Sequence, residues 1–397
     1  MVTLFLIPIY ILFSAYLCRW LFRWLNSCHH WFQNKITKMV IIATYIFVSS
    51  TVIISFLLPV SPVQRVLKQI SNYWLGTLVY IFLIVLFADM GRMILKWTKW
   101  ISNEKLSSRR MFVVAGGICI VLIGSISVYG IFNARHIRTT TYDVNIEKDG
   151  GNLDDLKIVL VSDLHLGYSI GDDHMEQMVE KINKINPDII LIAGDIFDND
   201  YDALYHPNYL IKKLREMQSK YGVYACYGNH DIQEKILVGF TFPGEKKKQS
   251  DLRMDKFLEK ANIKLLRDEA VLIDNSFYLV SRPDYKCPGR DIEKRKTPKQ
   301  ITKELDKTKP ILVIEHEPKE IEELEKAGAD MQLSGHTHDG QIWPGTWLIH
   351  CFWKNPYGYI KEGDLHSIVT SGIGVYGPAM RVGSKSEICE INVSFQK

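Results

Sequence analysis

Five short clusters in this 397-residue chain carry side chains suited to holding metal ions. In chain order they are Asp163-Leu164-His165, Gly194-Asp195-Ile196-Phe197-Asp198, Gly228-Asn229-His230-Asp231, Glu315-His316 and Gly335-His336-Thr337-His338. Singly each is weak, since an isolated histidine is more often a satisfied polar group than a ligand. Together they use five of the nine histidines beyond residue 138. Carboxylate oxygen and imidazole nitrogen, without thiolate, suit manganese, with iron or zinc as alternatives.

The elements that must bring the clusters together are visible as apolar runs. Lys157–Ser162, Asp188–Ala193, Val223–Tyr227, Ile311–Ile314 and Asp330–Ser334 read as buried strands, and each stops where a cluster begins. Thr139–Glu147, Phe277–Val280 and Ser386–Val393 read as further strands. His174–Asn186, with Met175, Met178, Val179, Ile182 and Ile185 at helical spacing before Pro187, reads as a helix, as does Pro207–Lys220. In open α/β sheets ligands gather at the carboxyl ends of strands, so five such ends could assemble one site from residues distant in sequence.

In this order and at these strand ends, the clusters resemble those of the calcineurin-like metallophosphoesterases, over residues 157–395. Gly340-Gln341, Ser371-Gly372-Ile373-Gly374, Gly377-Pro378 and Arg381 are similar to a membrane-associated bacterial phosphodiesterase subgroup. The resemblance implies an α/β domain, a β-sandwich flanked by helices, with the metal site at the carboxyl ends of strands. It implies one divalent ion on Asp163, His165, Asp195 and His338, and a second on Asp195, Asn229, His316 and His336, with Asp195 bridging. A bridging hydroxide would then attack phosphorus in line. His230 would serve as general acid or electrostatic partner at the leaving oxygen, with Asp231 orienting it. Asp198 would accept the spare N–H of a ligand histidine. Two departures lie near the expected mouth of the site and bear on the substrate. Asp339-Gly340 stands where Gly-Gly is usual, and Ser281-Arg282-Pro283-Asp284 where relatives often have a glycine and paired acids.

The formal charge of +4 conceals two different objects. Residues 1–138 hold 14 Lys and Arg against two acids, a balance of +12, whereas 139–397 balance to −8. In the first part Leu4–Leu21, Met39–Val60, Tyr73–Leu95 and Met111–Asn133 are apolar stretches near or above the ~20 residues that cross a bilayer. The expected organisation is a four-helix transmembrane anchor over 1–138 and a metallophosphoesterase domain over 139–397. Four bases in 19–38 and six in 92–110 mark those loops as cytoplasmic, which puts the catalytic part outside the cytoplasm, in the cell membrane as a multi-pass protein. The one acid inside a span, Asp89, is within reach of Arg92, so no ion path is read.

These features point to a membrane-anchored enzyme hydrolysing a phosphodiester or pyrophosphate bond, possessing a bilayer as partner and a phosphate ester, lipid-linked in one reading, as substrate. The alternative is a catalytically weak sensor or scaffold that binds a phosphate ligand. The acidic balance of 139–397 argues against nucleic acid as partner. Two surface features bear on the substrate. The apolar run Ile236–Pro243, followed by Lys246, Lys247 and Lys248, reads as a core strand and a solvated turn, with lipid contact as the second reading, and the basic stretch Arg282–Lys299 reads as a solvated loop, with guidance of a phosphate as the second reading. The seven cysteines show no C-x-x-C spacing, and Cys226 falls in a buried strand.

Overall fold

A computed structural model describes the chain except for Met1, residues 233–235, 238–239, 242–249 and Lys397, with side chains also left out at 2–7, 236–237 and 240–241. Two compact units emerge. One holds residues 1–131 with 237–240 and 377–379, the other 132–236, 241–376 and 380–397.

The first unit is built on long helices, Val2–Cys28, Lys35–Leu57, Pro62–Thr98 and Arg109–Arg135. Asn34 and Ser61 start the second and third, their side chains accepting hydrogen bonds from the N–H groups of Ile36 and Gln64, and Pro62 fits the first turn, where no N–H is needed. Among the described residues, three helices are long and apolar enough to cross a membrane, Lys35–Leu57, Pro62–Thr98 and Arg109–Arg135. This corrects the expectation of four. In Val2–Cys28 the apolar run after Pro8 is interrupted at Arg19 and Arg23. Ile46, Phe47, Phe82, Val121 and Leu122 are exposed, the reverse of helices that form a soluble core. Polar groups are satisfied between helices. Tyr10 Oη donates to Ser49 O at 2.6 Å, Tyr45 Oη to Ser14 O at 2.9 Å and Trp74 Nε1 to Tyr10 Oη at 2.9 Å.

In the second unit the strands are, in chain order, β1 (Ile137–Asp149), β2 (Asp155–Val161), β3 (Ile189–Ala193), β4 (Val223–Cys226), β5 (Ile236–Leu237), β6 (Phe240–Thr241), β7 (Ile263–Leu265), β8 (Glu269–Ile273), β9 (Phe277–Arg282), β10 (Ile311–Glu315), β11 (Met331–Ser334), β12 (Gly358–Glu362), β13 (Leu365–Val369) and β14 (Ser386–Gln396). Of these, β5 and β6 form a separate two-stranded sheet. Two six-stranded sheets form, in the orders β1-β14-β2-β3-β4-β7 and β12-β13-β11-β10-β9-β8. Both are mixed. β2, β3, β4 and β7 run parallel while β14 meets β2 antiparallel, and β9, β10, β11 and β13 run parallel between antiparallel β8 and β12.

One apolar core joins the sheets. Ile158, Leu160, Leu191 and Ile391 of the first meet Leu279, Leu312, Leu333 and Ile368 of the second. The alternation of a strand puts Ile158 and Leu160 on this face. Helices Asp172–Ile185 and Leu252–Lys260 bury Met175, Met178, Ile182, Met254 and Phe257. A smaller core of Val280, Ile311, Val313, Ile321 and Leu324 lies on the other face of the second sheet.

The basic stretch after β9 has a different role from phosphate guidance at two of its positions. Arg282 and Arg295 are buried and share two carboxylates. Their guanidinium groups donate to Glu315 Oε2 at 2.9 and 3.1 Å, and to Glu320 Oε2 at 2.7 and 2.5 Å. Gln332 Nε2 donates to the other Glu315 oxygen at 2.6 Å. These two arginines brace the second sheet. The apolar run expected at Ile236–Pro243 and the lysines after it lie largely outside the described residues. Cys226 is buried and free.

Candidate metal centre

Five strands, three of the first sheet and two of the second, deliver the clusters to one place. Asp163 and His165 follow β2, Asp195 follows β3, Asn229 and His230 follow β4, His316 follows β10, and His336 and His338 follow β11. Two groups of side chains converge, Asp163 with His165 and His338, and Asp195 with His316 and His336, the donor atoms of each group lying within 4.8 Å of one another. In the first, His165 Nε2 is 3.1 Å from His338 Nε2, and Asp163 Oδ1 is 3.3 Å from His338 Nε2. In the second, Asp195 Oδ2 is 2.9 Å from His316 Nε2, and His336 Nδ1 is 3.1 Å from His316 Nε2 and 3.0 Å from Asn229 Oδ1. Asp195 Oδ2 also lies 3.8 Å from His165 Nε2, so one carboxylate stands between the groups.

The backbone is bent to make this possible. Asp163, His165, Asp195, His336 and His338 all have φ between 45° and 74°, a region that side chains other than glycine's seldom adopt and that gathers at functional sites. Gly228 permits the close approach of two of these loops, because a Cβ there would stand 2.2 Å from Asp195 Oδ1. The carboxylates are then held by hydrogen bonds. His230 N donates to Asp195 Oδ1 at 2.8 Å, while Ser162 Oγ and His336 N donate to Asp163 Oδ2 at 2.5 and 3.0 Å. Each acid therefore turns its other oxygen to the histidines. The His316 Nδ1–H meets Ala193 O at 2.8 Å, which leaves Nε2 as its free donor atom.

The donor set fits divalent cations. Asp163 Oδ1 is buried without a hydrogen bond among the described residues, although it faces two imidazoles. A cation would satisfy that oxygen, and oxygen and imidazole donors suit such ions. Burial works against charge on His316, but the Asp195 carboxylate in contact with it raises its pKa well above the usual value. Burial likewise opposes charge on Asp195, yet His316 and His230 hold its carboxyl well below the usual range. Burial and then His316 draw His336 well down, and burial and then His165 do the same to His338.

His230 projects beside the first group, its ring 5.2 Å from that of His165 and 4.4 Å from that of Tyr376. Burial pulls its pKa down to about 4. Its Nδ1 meets Asn199 Oδ1. Asp231, expected to orient this ring, spends both oxygens elsewhere, accepting from Phe197 N at 2.8 Å and Gly228 N at 2.7 Å. Its role is to tie the loops after β3 and β4 together, and Asn199 holds the ring instead. Burial, reinforced by Asp195, raises the Asp231 carboxyl to about 7. Asp198 lies 3.6 Å from His165 Nδ1.

Several residues at the site were not singled out for a role from sequence. Glu317 is buried with its carboxylate 3.5 Å from His336 Nε2, and it holds Lys319 at 2.8 Å. Arg381, noted only as part of a motif, is fully buried, and its guanidinium donates to the carbonyls of Ser371, Gly374 and His338 at 2.6, 2.7 and 3.2 Å. The neighbours Asp198 and His316 were the available signals for Asn199 and Glu317. Nothing in sequence could aim Arg381 at a carbonyl 43 residues away.

Residues 156–340 match the family described as calcineurin-like phosphoesterase. The chain is 28% identical over 286 residues, 69% of its length, to a transmembrane protein with metallophosphoesterase domain of Danio rerio, and covers 61% of that protein. The corresponding protein of Bos taurus is 25% identical over 76% of this chain and 68% of its own length. An uncharacterised metallophosphoesterase of Campylobacter jejuni is 29% identical over 61% of this chain and 60% of its own length.

Proposed function

Residues 156–340 constitute a calcineurin-like phosphoesterase domain, and from that premise we propose that this chain is a membrane-anchored, dinuclear metal-dependent hydrolase of a phosphodiester or pyrophosphate bond. The observation that carries the reading is the Asp195 carboxylate, buried between two histidine-rich groups with one oxygen 2.9 Å from His316 and 3.8 Å from His165. One ion is assigned to Asp163, His165, Asp195 and His338, the other to Asp195, Asn229, His316 and His336. Two bound divalent ions supply Lewis acidity and a lowered pKa for water.

The chain's own residues do the rest. The φ-strained loops and the hydrogen bonds to Asp163 and Asp195 keep the donor atoms turned inward, so little reorganisation accompanies binding of the phosphate. Asn199 fixes the His230 ring through Nδ1, leaving Nε2 to exchange a proton with the leaving oxygen. His230→Ala is therefore expected to lower hydrolysis of bis(p-nitrophenyl) phosphate by about 10²–10⁴-fold while metal content stays at the wild-type level. A wild-type rate in that variant removes the role; lost metal makes His230 a support of the ligands instead.

The anchor is assigned to 1–138 and the catalytic domain to 139–397, outside the cytoplasm. The basic loops 19–38 and 92–110 support this orientation. Glu147 is exposed, and Glu147→Cys is expected to react with a membrane-impermeant thiol reagent in intact cells, above the background of the parent chain. Reaction only after lysis would place the domain in the cytoplasm.

A further inference from the structure

The segment from Gln341 to Trp353 contains no Asp, Glu, Lys or Arg, and both its ends are tied to metal-ligand candidates. At the near end Gln341, three residues after His338, donates Nε2 to Tyr376 O at 3.0 Å and accepts from Tyr376 N at 2.9 Å. Trp343 N donates to Val382 O at 2.8 Å. Gly340 lies against Gly345, where a Cβ would come within 2.2 Å of the backbone, so the base of the loop is closed tightly. At the far end the Trp353 ring is 5.2 Å from the His336 ring, and Thr337 Oγ1 donates to Pro356 O at 2.5 Å.

Between these ties the turns Gly345–Leu348 and Ile349–Cys351 carry large apolar side chains into solvent. Trp347 is 68% exposed, Leu348 43% and Phe352 78%. Scattered exposed apolar residues are ordinary, but three within six residues of a segment that has no charged side chain of its own mark the rim as an interaction surface. We propose that this rim contacts a phospholipid bilayer, with Trp347, Leu348 and Phe352 entering its interfacial layer and the metal centre held at headgroup level. The substrate class that follows is a phosphoester presented at a membrane surface. Three features name the bilayer as occupant. Among its described residues the same chain carries three helices long and apolar enough to cross a membrane, which keeps such a surface at high effective concentration. Tryptophan favours the membrane–water interface. The segment's own residues carry no carboxylate that anionic headgroups would repel, and where Phe352 shares a groove with Glu320, Glu322 and Glu323, Lys319 and Lys354 line the same groove.

The substrate class rests on the phosphoesterase reading, while the membrane contact does not, and the test separates them. The full chain is reconstituted into vesicles of phosphatidylcholine with brominated or ordinary acyl chains. Emission of the parent minus that of Trp347→Phe reports residue 347, and emission of Phe352→Trp minus that of the parent reports residue 352. Both difference signals are expected to lose intensity in the brominated vesicles. Equal intensity in the two vesicle types overturns the proposal, as would be seen if another protein or water covered the rim. Hydrolysis of bis(p-nitrophenyl) phosphate by the same preparations reads the other question. An inactive chain with quenched signals defeats the catalytic reading and leaves the membrane contact standing, and an active chain without quenching does the reverse.

Discussion

Asp195→Asn is expected to lower hydrolysis of bis(p-nitrophenyl) phosphate by about 10³-fold or more, because metal-ion stabilisation is worth several kcal/mol and each ~1.4 kcal/mol is tenfold in rate. The bound metal is expected to fall with it. The carboxylate is fully buried and spans the two groups, its Oδ1 fixed by His230 N at 2.8 Å and its Oδ2 turned to His316 and His165. Asparagine keeps the size of the side chain but removes the charge and one of the two oxygen donors. His316, whose raised pKa depends on that carboxylate, loses its partner as well. Metal analysis and rate measured on the same preparation form the check. A full metal complement with a wild-type rate would refute the assignment of Asp195 as the shared ligand.

Arg282→Ala is expected to destabilise the catalytic unit by about 3–5 kcal/mol, the loss typical when one partner of a buried ion pair is removed. On a unit of this size that corresponds to a fall in denaturation midpoint of about 10 °C. Desolvation sets the cost. Glu315 is fully buried and depends on Arg282, Arg295 and Gln332 to offset the burial of its charge. Without Arg282 one guanidinium must serve both Glu315 and Glu320. Thermal denaturation of the full chain in detergent would measure the effect. A midpoint unchanged within a degree or two, together with a weakened KM for a phosphodiester, would return Arg282 to the phosphate-guiding role that its sequence context suggested.

The Glu315-His316 pair shows how far sequence reaches and where it stops. Glu315 ends β10 and His316 follows it directly, and sequence groups them as one cluster. Adjacent residues on an extended strand face opposite ways, so only His316 reaches the metal groups, while Glu315 turns to the two buried arginines. Asp231 is a second case. Its position beside His230 suggested an orienting partner, but its oxygens meet backbone N–H groups from two loops and Asn199 takes the ring. Strands without a continuous apolar run were also hidden. β13 contains His366 and Ser367, and β12 is a short strand that ends in Lys361 and Glu362. They are strands because β11 and β13 offer them edges, a reason that lies outside their own residues.

What the sequence determined by itself was the chemistry available and the elements that carry it. Apolar runs ending in Asp, Asn and His marked the strands and their ligand-bearing ends, since burial and periodicity are local properties written residue by residue. The imbalance of charge likewise separated a basic apolar region from an acidic domain. Only the tertiary structure decided which oxygen of Asp195 faces which histidine, which acids are structural, and that an uncharged loop returns from His338 to His336 with tryptophan and phenylalanine exposed. Those outcomes depend on the direction of side chains on loops of unusual φ and on partners up to 173 residues apart, as between His165 and His338. Direction and long-range proximity arise when the two sheets pack, and no local pattern encodes them.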